Sequence, residues 1–254
     1  MMKESRPGAS ALKVAASLKG IDTSKVAVDD EDQAAITIAA GSTEEAAALE
    51  AMEALIEADS PAKAASQELK LMCLRGRKYD PVRAAALMPD AISLIDTLDL
   101  KSGSDQLTSD LASGKAVMTG ARDRQERAIV WLRFRLHDPR QCEPRDFARL
   151  VATLMLNALK DAETARRGVV ILQDMTGLSI RNLDPKTAKF MFGSVLPRLP
   201  VRIARVVIFN PPWIVGRVIL PVAKTLMSPK LRSRLVVIHS SNAAMLNDHF
   251  PQAL

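Results

Sequence analysis

The chain has 254 residues, 48% apolar and 25% charged, with 11 Gly and 14 Pro. That composition excludes disorder throughout and is ample for a buried core. Aromatics make up only 4%, so aliphatic side chains and the 11 Met residues must fill the interior. The net charge of +6 favours an anionic partner without choosing among nucleic acid, a phosphorylated ligand and a membrane surface.

Residues 1–41 read as a weakly ordered leader with at most one short strand, AAITIAA (34–40). The leader is basic and rich in Ala and Ser, but it lacks the apolar run of a signal peptide, so secretion is not expected. Ser42-Thr43-Glu44-Glu45 has the form of a capping box, with Ser42 accepting from Glu45 N–H and the Glu45 carboxylate reaching back to the Ser42 amide. An Ala-rich helix to about Ala58 follows. A second helix is expected over 62–76, carrying Leu69, Met72 and Cys73. A third, after Asp80-Pro81, carries Ala84, Ala85, Met88, Ile92 and Ile95. KSGSDQLTSDLASGK (101–115) has turn composition and closes a helical unit over 42–115.

The period changes in the remaining unit, 116–254. AIVWLRFRL (128–136), GVVILQDM (168–175), RVVIF (205–209) and RLVVIH (234–239) read as strands. Between them lie an amphipathic helix opening at Pro144, a helix capped by Asp184 with Pro185 at its first position, and the segment WIVGRVILPVAKTLM (213–227). Strands alternating with helices imply an α/β domain with a largely parallel sheet. Pro221 divides the 213–227 segment, and no stretch is long and apolar enough to span a bilayer.

Charge is unevenly divided. Residues 116–254 carry 22 Lys and Arg against 10 Asp and Glu, net +12, whereas residues 1–115 carry 13 against 19, net −6. Between 185 and 247 there are ten basic side chains and no acid. A basic, apolar segment suits an anionic bilayer, with Arg217 and Lys224 on one helix face. It also suits an amphipathic helix packed on a sheet with a solvated basic face, and the pattern leaves both open. Single-stranded nucleic acid is the weaker use, because stacking aromatics are few.

No catalytic constellation emerges, and no enzyme is expected. There is no Walker loop, G-x-G-x-x-G or G-x-S-x-G. Ser240, His239 and Asp248 form only a chance grouping, and Asp174 reads as a turn cap at a strand end. Cys73, Cys142 and the scattered His137, His239 and His249 imply neither a disulfide framework nor a metal site.

The order of motifs resembles the CRAL-TRIO lipid-binding family, in the branch of α-tocopherol transfer protein, cellular retinaldehyde-binding protein and clavesin. The resemblance covers about 60–254. It rests on CLRGRKYDPVRAAALM (73–88), RRGVVILQDMTGLS (166–179) with Asp174 and Gly177, LPVRIARVVIFNPPWI (199–214), MSPKLRSRLVVIHSSN (227–242) and MLNDHFPQAL (245–254). It implies an α/β fold with an apolar cavity behind a small helical bundle, and 213–227 as a mobile gate. It also implies one bound lipid such as a tocopherol, retinoid or phospholipid, no cofactor, and a cytoplasmic protein that docks reversibly on membranes. Wall positions implied by matching are Phe147, Leu150, Leu154, Leu183, Val195, Leu199, Val201, Ile203, Val206, Trp213 and Val218. Phosphoinositide head groups would fall on Arg202, Lys230 and Arg234, beside Arg217 and Lys224. The sequence departs from the family pattern at Ala204, where a second basic residue is expected, and at Asn210-Pro211-Pro212, where the pattern is Asn-Glu-Pro. It also stops at Leu254, before the family's usual closing segment. The alternative is a scaffold module that keeps the fold and transfers nothing.

Overall fold

The computed structural model describes residues 37–213, 215–220, 224–225 and 229–239. Of the strand expected over 34–40, the described part is not extended. Thr37 is helical, and a turn through Gly41, with φ at +76°, delivers the chain to the Ser42 cap. Ser42 Oγ accepts Glu45 N–H at 3.2 Å and starts α1, Thr43–Ala54. The reciprocal half of the box differs from expectation. Glu45 accepts the Gly41 amide at 2.7 Å, because its carboxylate is drawn inward toward Arg75 at 2.7 Å and Tyr79 at 3.1 Å.

The next helix, α2, is Gln67–Gly76, shorter than expected because Ser66 caps it through Leu69 N–H. Helix α3, Pro81–Thr97, begins where Asp80 accepts Arg83 N–H, as its Asp-Pro start implied. Met52, Cys73, Leu74 and Met88 form the core of this bundle. The 101–115 segment is more than a turn. Ser104 caps a short helix, α4 (Asp105–Ala112), whose Leu107 joins Leu94 of α3 and Leu98 just after it in the core of the second unit.

That unit is a 5-stranded sheet in the order β1-β2-β3-β4-β5. The strands are β1 Ala116–Arg122, β2 Ala128–Arg133, β3 Val169–Asp174, β4 Ile203–Phe209 and β5 Leu235–Ile238. Strand β1 was not anticipated, because Gly120 at φ +74° and an irregular register between Met118 and Arg122 break its alternation. It pairs antiparallel to β2, and the other pairings are parallel. Strand β2 stops at Arg133 and a 3-10 turn takes Phe134–Leu136, so the run expected to 136 is 6 residues of strand followed by 3 of turn.

Helix α5 (Pro144–Ala158) and the short α6 (Ala162–Arg167) carry the chain from β2 to β3. Gly168 makes the turn into β3 at φ +85°, where a Cβ would lie 2.5 Å from the Arg202 carbonyl oxygen, so only glycine fits. From β3 the chain passes through a 3-10 turn at Ile180–Asn182 to α7, Pro185–Phe190. A π-helical turn, Met191–Val195, and a 3-10 turn at Leu196–Arg198 then lead to β4. A second π turn, Val215–Ile219, and α8, Pro229–Ser233, lie between β4 and β5.

The bundle and the sheet unit meet along 197–200. A Cβ on Gly76 would lie 2.5 Å from Pro200 O, so the backbones pass in contact. Arg77 donates to Pro197 O at 3.2 Å and Arg198 to Ser93 Oγ at 2.7 Å.

Candidate functional site

Alternation sends Leu132, Ile171, Val206 and Ile208 to one face of the sheet, while Ile129, Trp131, Val170, Leu172 and Val207 pack on the other. A bulge at Ala204 adjusts β4: Ile203 pairs with Val169 and Arg205 with Val170. Ile203 is thereby returned to the Val206 face. Over that face lies a cavity of about 400 Å³. Helix α5 covers it with Phe147, Val151 and Met155, spaced i, i+4, i+8. Ala188 and Met191 come from α7 and the turn after it, and Met175 and Leu178 from the loop after β3. Val215, Leu220 and Leu231 close the side formed by the segment between β4 and β5. Loops at the carboxyl ends of parallel strands are where open α/β sheets receive ligands, and a few hundred Å³ suits one small molecule.

Of the expected wall residues, Phe147, Leu183, Ile203 and Val206 line the cavity. Leu150, Leu154, Val195, Leu199 and Val201 are buried in the surrounding core instead. On α5 the reason is rotation: 150 and 154 fall on the stripe beside the 147-151-155 stripe, and amphipathicity does not distinguish the two. Trp213 points away, 68% exposed. The side chain of Val218 lies outside the described residues; Val215 and Leu220 serve the wall from this segment. Leu150→Ala is therefore expected to cost about 3 kcal/mol in urea unfolding, as a core truncation, with ligand affinity of the folded protein unchanged.

The expected head-group residues are dispersed. Arg202 is 5% exposed and donates from Nη1 to Arg166 O at 2.9 Å, while its own carbonyl accepts Val169 N–H. Arg234 is half-buried and donates to Ile203 O at 2.7 Å. Both brace the amino-terminal end of β4. Arg217 is exposed and Lys224 half-buried, and the Lys230 side chain lies outside the described residues. The acid-free 185–247 stretch is thus not one basic surface: Arg202 and Arg205 are buried, and Arg198 faces the bundle.

The polar groups on the cavity wall were not foreseen. His137, only 1% exposed, places Nε2 3.1 Å from Asp184 Oδ2. Asp184 also accepts Thr187 N–H at 2.9 Å and the Thr187 hydroxyl at 2.6 Å. Burial works against ionisation of Asp184. The hydrogen bonds from Thr187 and His137 outweigh it and hold the carboxyl below its usual range. His137 stands edge-on to Phe147, with ring centroids 5.0 Å apart. The one available signal was Asp184 as a helix cap; its His partner is 47 residues away.

Asp174 accepts Thr176 N–H at 2.9 Å, the turn-capping role. Burial pushes the Cys73 thiol up to about 12 and also raises Cys142, so neither is poised as a thiolate. Among the described residues no three His, Cys, Asp or Glu side chains are gathered to hold a metal. No helix of the described residues is long and apolar enough to cross a membrane.

Comparison with known proteins agrees with this architecture. The CRAL/TRIO domain model matches residues 111–254. Tyrosine-protein phosphatase non-receptor type 9 from Mus musculus is 26% identical over 183 residues, covering 70% of this chain and 30% of that protein. The CRAL-TRIO domain-containing protein C3H8.02 of Schizosaccharomyces pombe is 23% identical over 156 residues, covering 58% of this chain and 35% of that protein. The chain thus spans about a third of the length of these relatives. The crystal structure of Sfh5 superposes with a TM-score of 0.52 at 11% identity, over 79% of this chain and 82% of that one. The chain belongs to the CRAL/TRIO domain family.

Proposed function

We propose that this protein binds one hydrophobic lipid in the cavity between the sheet and α5, and carries it between membranes without a chemical step. The observation that carries the reading is the cavity itself, walled by aliphatic, Met and Phe side chains and closed by Val215 and Leu220 from the segment between β4 and β5. An apolar molecule seated there leaves water, and its release needs only displacement of that segment. The cavity favours this reading over a scaffold that holds nothing.

Docking would use the cavity rim. Ile180, 74% exposed, and Trp213 sit in the loops after β3 and β4, and Asn210 Nδ2 donates to Thr176 Oγ1 at 3.4 Å to join those loops. Arg181 and Arg217 are exposed in the segments that follow β3 and β4. Apolar tips flanked by cations suit the interface of an anionic leaflet, each cation contributing about 1 kcal/mol. In this reading Arg217 and Lys224 face lipid phosphates, phosphoinositides among them, and the protein is a peripheral one of the cytoplasm with a tocopherol-like, retinoid-like or phospholipid cargo.

The test is movement of a fluorescent lipid from donor to acceptor vesicles, which the protein should accelerate in proportion to its concentration. No acceleration would reject transfer. For the docking surface, Ile180→Ser with Trp213→Ala is expected to lower partition onto phosphatidylserine vesicles roughly tenfold with the fold intact. Unchanged flotation would remove the rim from the account.

A further inference from the structure

The cavity wall is apolar except for His137, Gln173, Asn182, Asp184 and Thr187, and these groups constrain the cargo. Asp184 is ionised, held so by Thr187, and an ionised carboxylate only accepts. The proton in the 3.1 Å contact with His137 therefore belongs to His137 Nε2. With Nε2 turned to Asp184, the ring's remaining polar atom is Nδ1. It is buried and has no hydrogen-bond partner among the described residues. Thr187, 5% exposed, gives its hydroxyl proton to Asp184, which leaves its oxygen able only to accept from anything else. Gln173 lines the same cavity, and its amide makes no side-chain hydrogen bond among the described residues.

We infer that the cargo is a neutral lipid bearing a hydroxyl group, which pairs with His137 Nδ1 and donates to Thr187, with the Gln173 amide as a further polar group of the same wall. The inference rests on the lipid-binding reading above and narrows it. A buried polar nitrogen without a partner carries a standing cost, and a ligand hydroxyl, which both donates and accepts, relieves it. A hydrocarbon brings no polar group. A carboxylate would place a second negative charge beside Asp184. A hydroxyl supplies both halves of what the wall lacks, and polar wall groups of this kind fix which end of an otherwise featureless ligand enters.

The test uses displacement of N-phenylnaphthylamine from the full chain by hexadecanol, hexadecyl methyl ether, hexadecane and hexadecanoic acid, delivered from phosphatidylcholine vesicles. Hexadecanol should bind about tenfold more tightly than its methyl ether, which has lost only the donor. His137→Phe should erase most of that difference by weakening the alcohol, with hexadecane unchanged within about twofold. Thr187→Val provides an independent variant if His137→Phe does not fold, and the comparison of alcohol with ether needs no variant. Equal binding of alcohol and ether to the unaltered protein would overturn the inference while leaving lipid binding standing, as would hexadecanoic acid outcompeting the alcohol. Failure of dye and all four probes to bind would overturn the lipid-binding reading, and this inference with it.

Discussion

Ala188→Trp is expected to reduce lipid retention at least about tenfold while the folded protein becomes no less stable. Ala188 is half-buried on α7 and faces the cavity from a helix that Asp184 caps independently of it. An indole placed there occupies space the lipid needs, and a tenfold loss corresponds to about 1.4 kcal/mol. In a packed core the same change would overpack and cost about 1–3 kcal/mol. In a cavity of about 400 Å³ it adds contacts instead, so the urea midpoint of the lipid-free protein should hold or rise. The opposed signs separate a binding cavity from ordinary interior. A fall in stability with lipid retention unchanged would mean that α7 packs against filled space.

A large loss of stability is expected at Glu45. Its carboxylate is 4% exposed and receives Arg75 through two hydrogen bonds of 2.7 and 2.9 Å, Tyr79 at 3.1 Å and the Gly41 amide at 2.7 Å. Glu45→Ala leaves the Arg75 guanidinium without its carboxylate and the Tyr79 hydroxyl without its acceptor. Breaking such a buried pair costs about 3 kcal/mol. Adding Arg75→Met should recover part of the loss, because the uncompensated charge goes with it. The pair also sets a pH dependence. Burial works to raise the Glu45 pKa, but the Arg75 and Gly41 hydrogen bonds, the Arg75 charge and Tyr79 together hold it below the ordinary 4.5. A carboxyl depressed in the folded state contributes its stabilisation fully above the unfolded value and loses it as pH falls through the folded one. Unfolding of the unaltered protein should therefore steepen with acid below about pH 4.5, and Glu45→Ala should flatten that part of the curve.

What the sequence revealed follows from where the determining interactions lie. Ser42, Asp80 and Asp184 were legible as helix starts because a cap is settled within three residues. The parallel strands were legible because burial on both faces demands continuous runs such as VVIL at 169–172. Helix α4 was hidden because eight residues rich in Asp, Ser and Thr look like a turn until Leu107 finds its place beside α3. Strand β1 was hidden by Gly120 and its irregular register.

The candidate site was less legible than the fold. Phe147 and Leu150 are both apolar residues on an amphipathic helix, and only the packing of the sheet decides which one faces a void. Arg202 looked like a surface cation because charge is ordinarily solvated. In the structure it lies over Gly168 and donates to Arg166 O, a use of guanidinium that no local pattern encodes. His137 and Asp184 each had an unremarkable local reading, and their pairing across 47 residues exists only in three dimensions.

Mass spectrometry of lipid extracted from the purified full chain, before and after incubation with mixed-lipid vesicles, tests the central claim most directly. The account predicts one hydrophobic molecule per chain, retained through gel filtration and lost in Ala188→Trp. Protein that emerges free of lipid, and takes up none from vesicles while remaining folded, would contradict it.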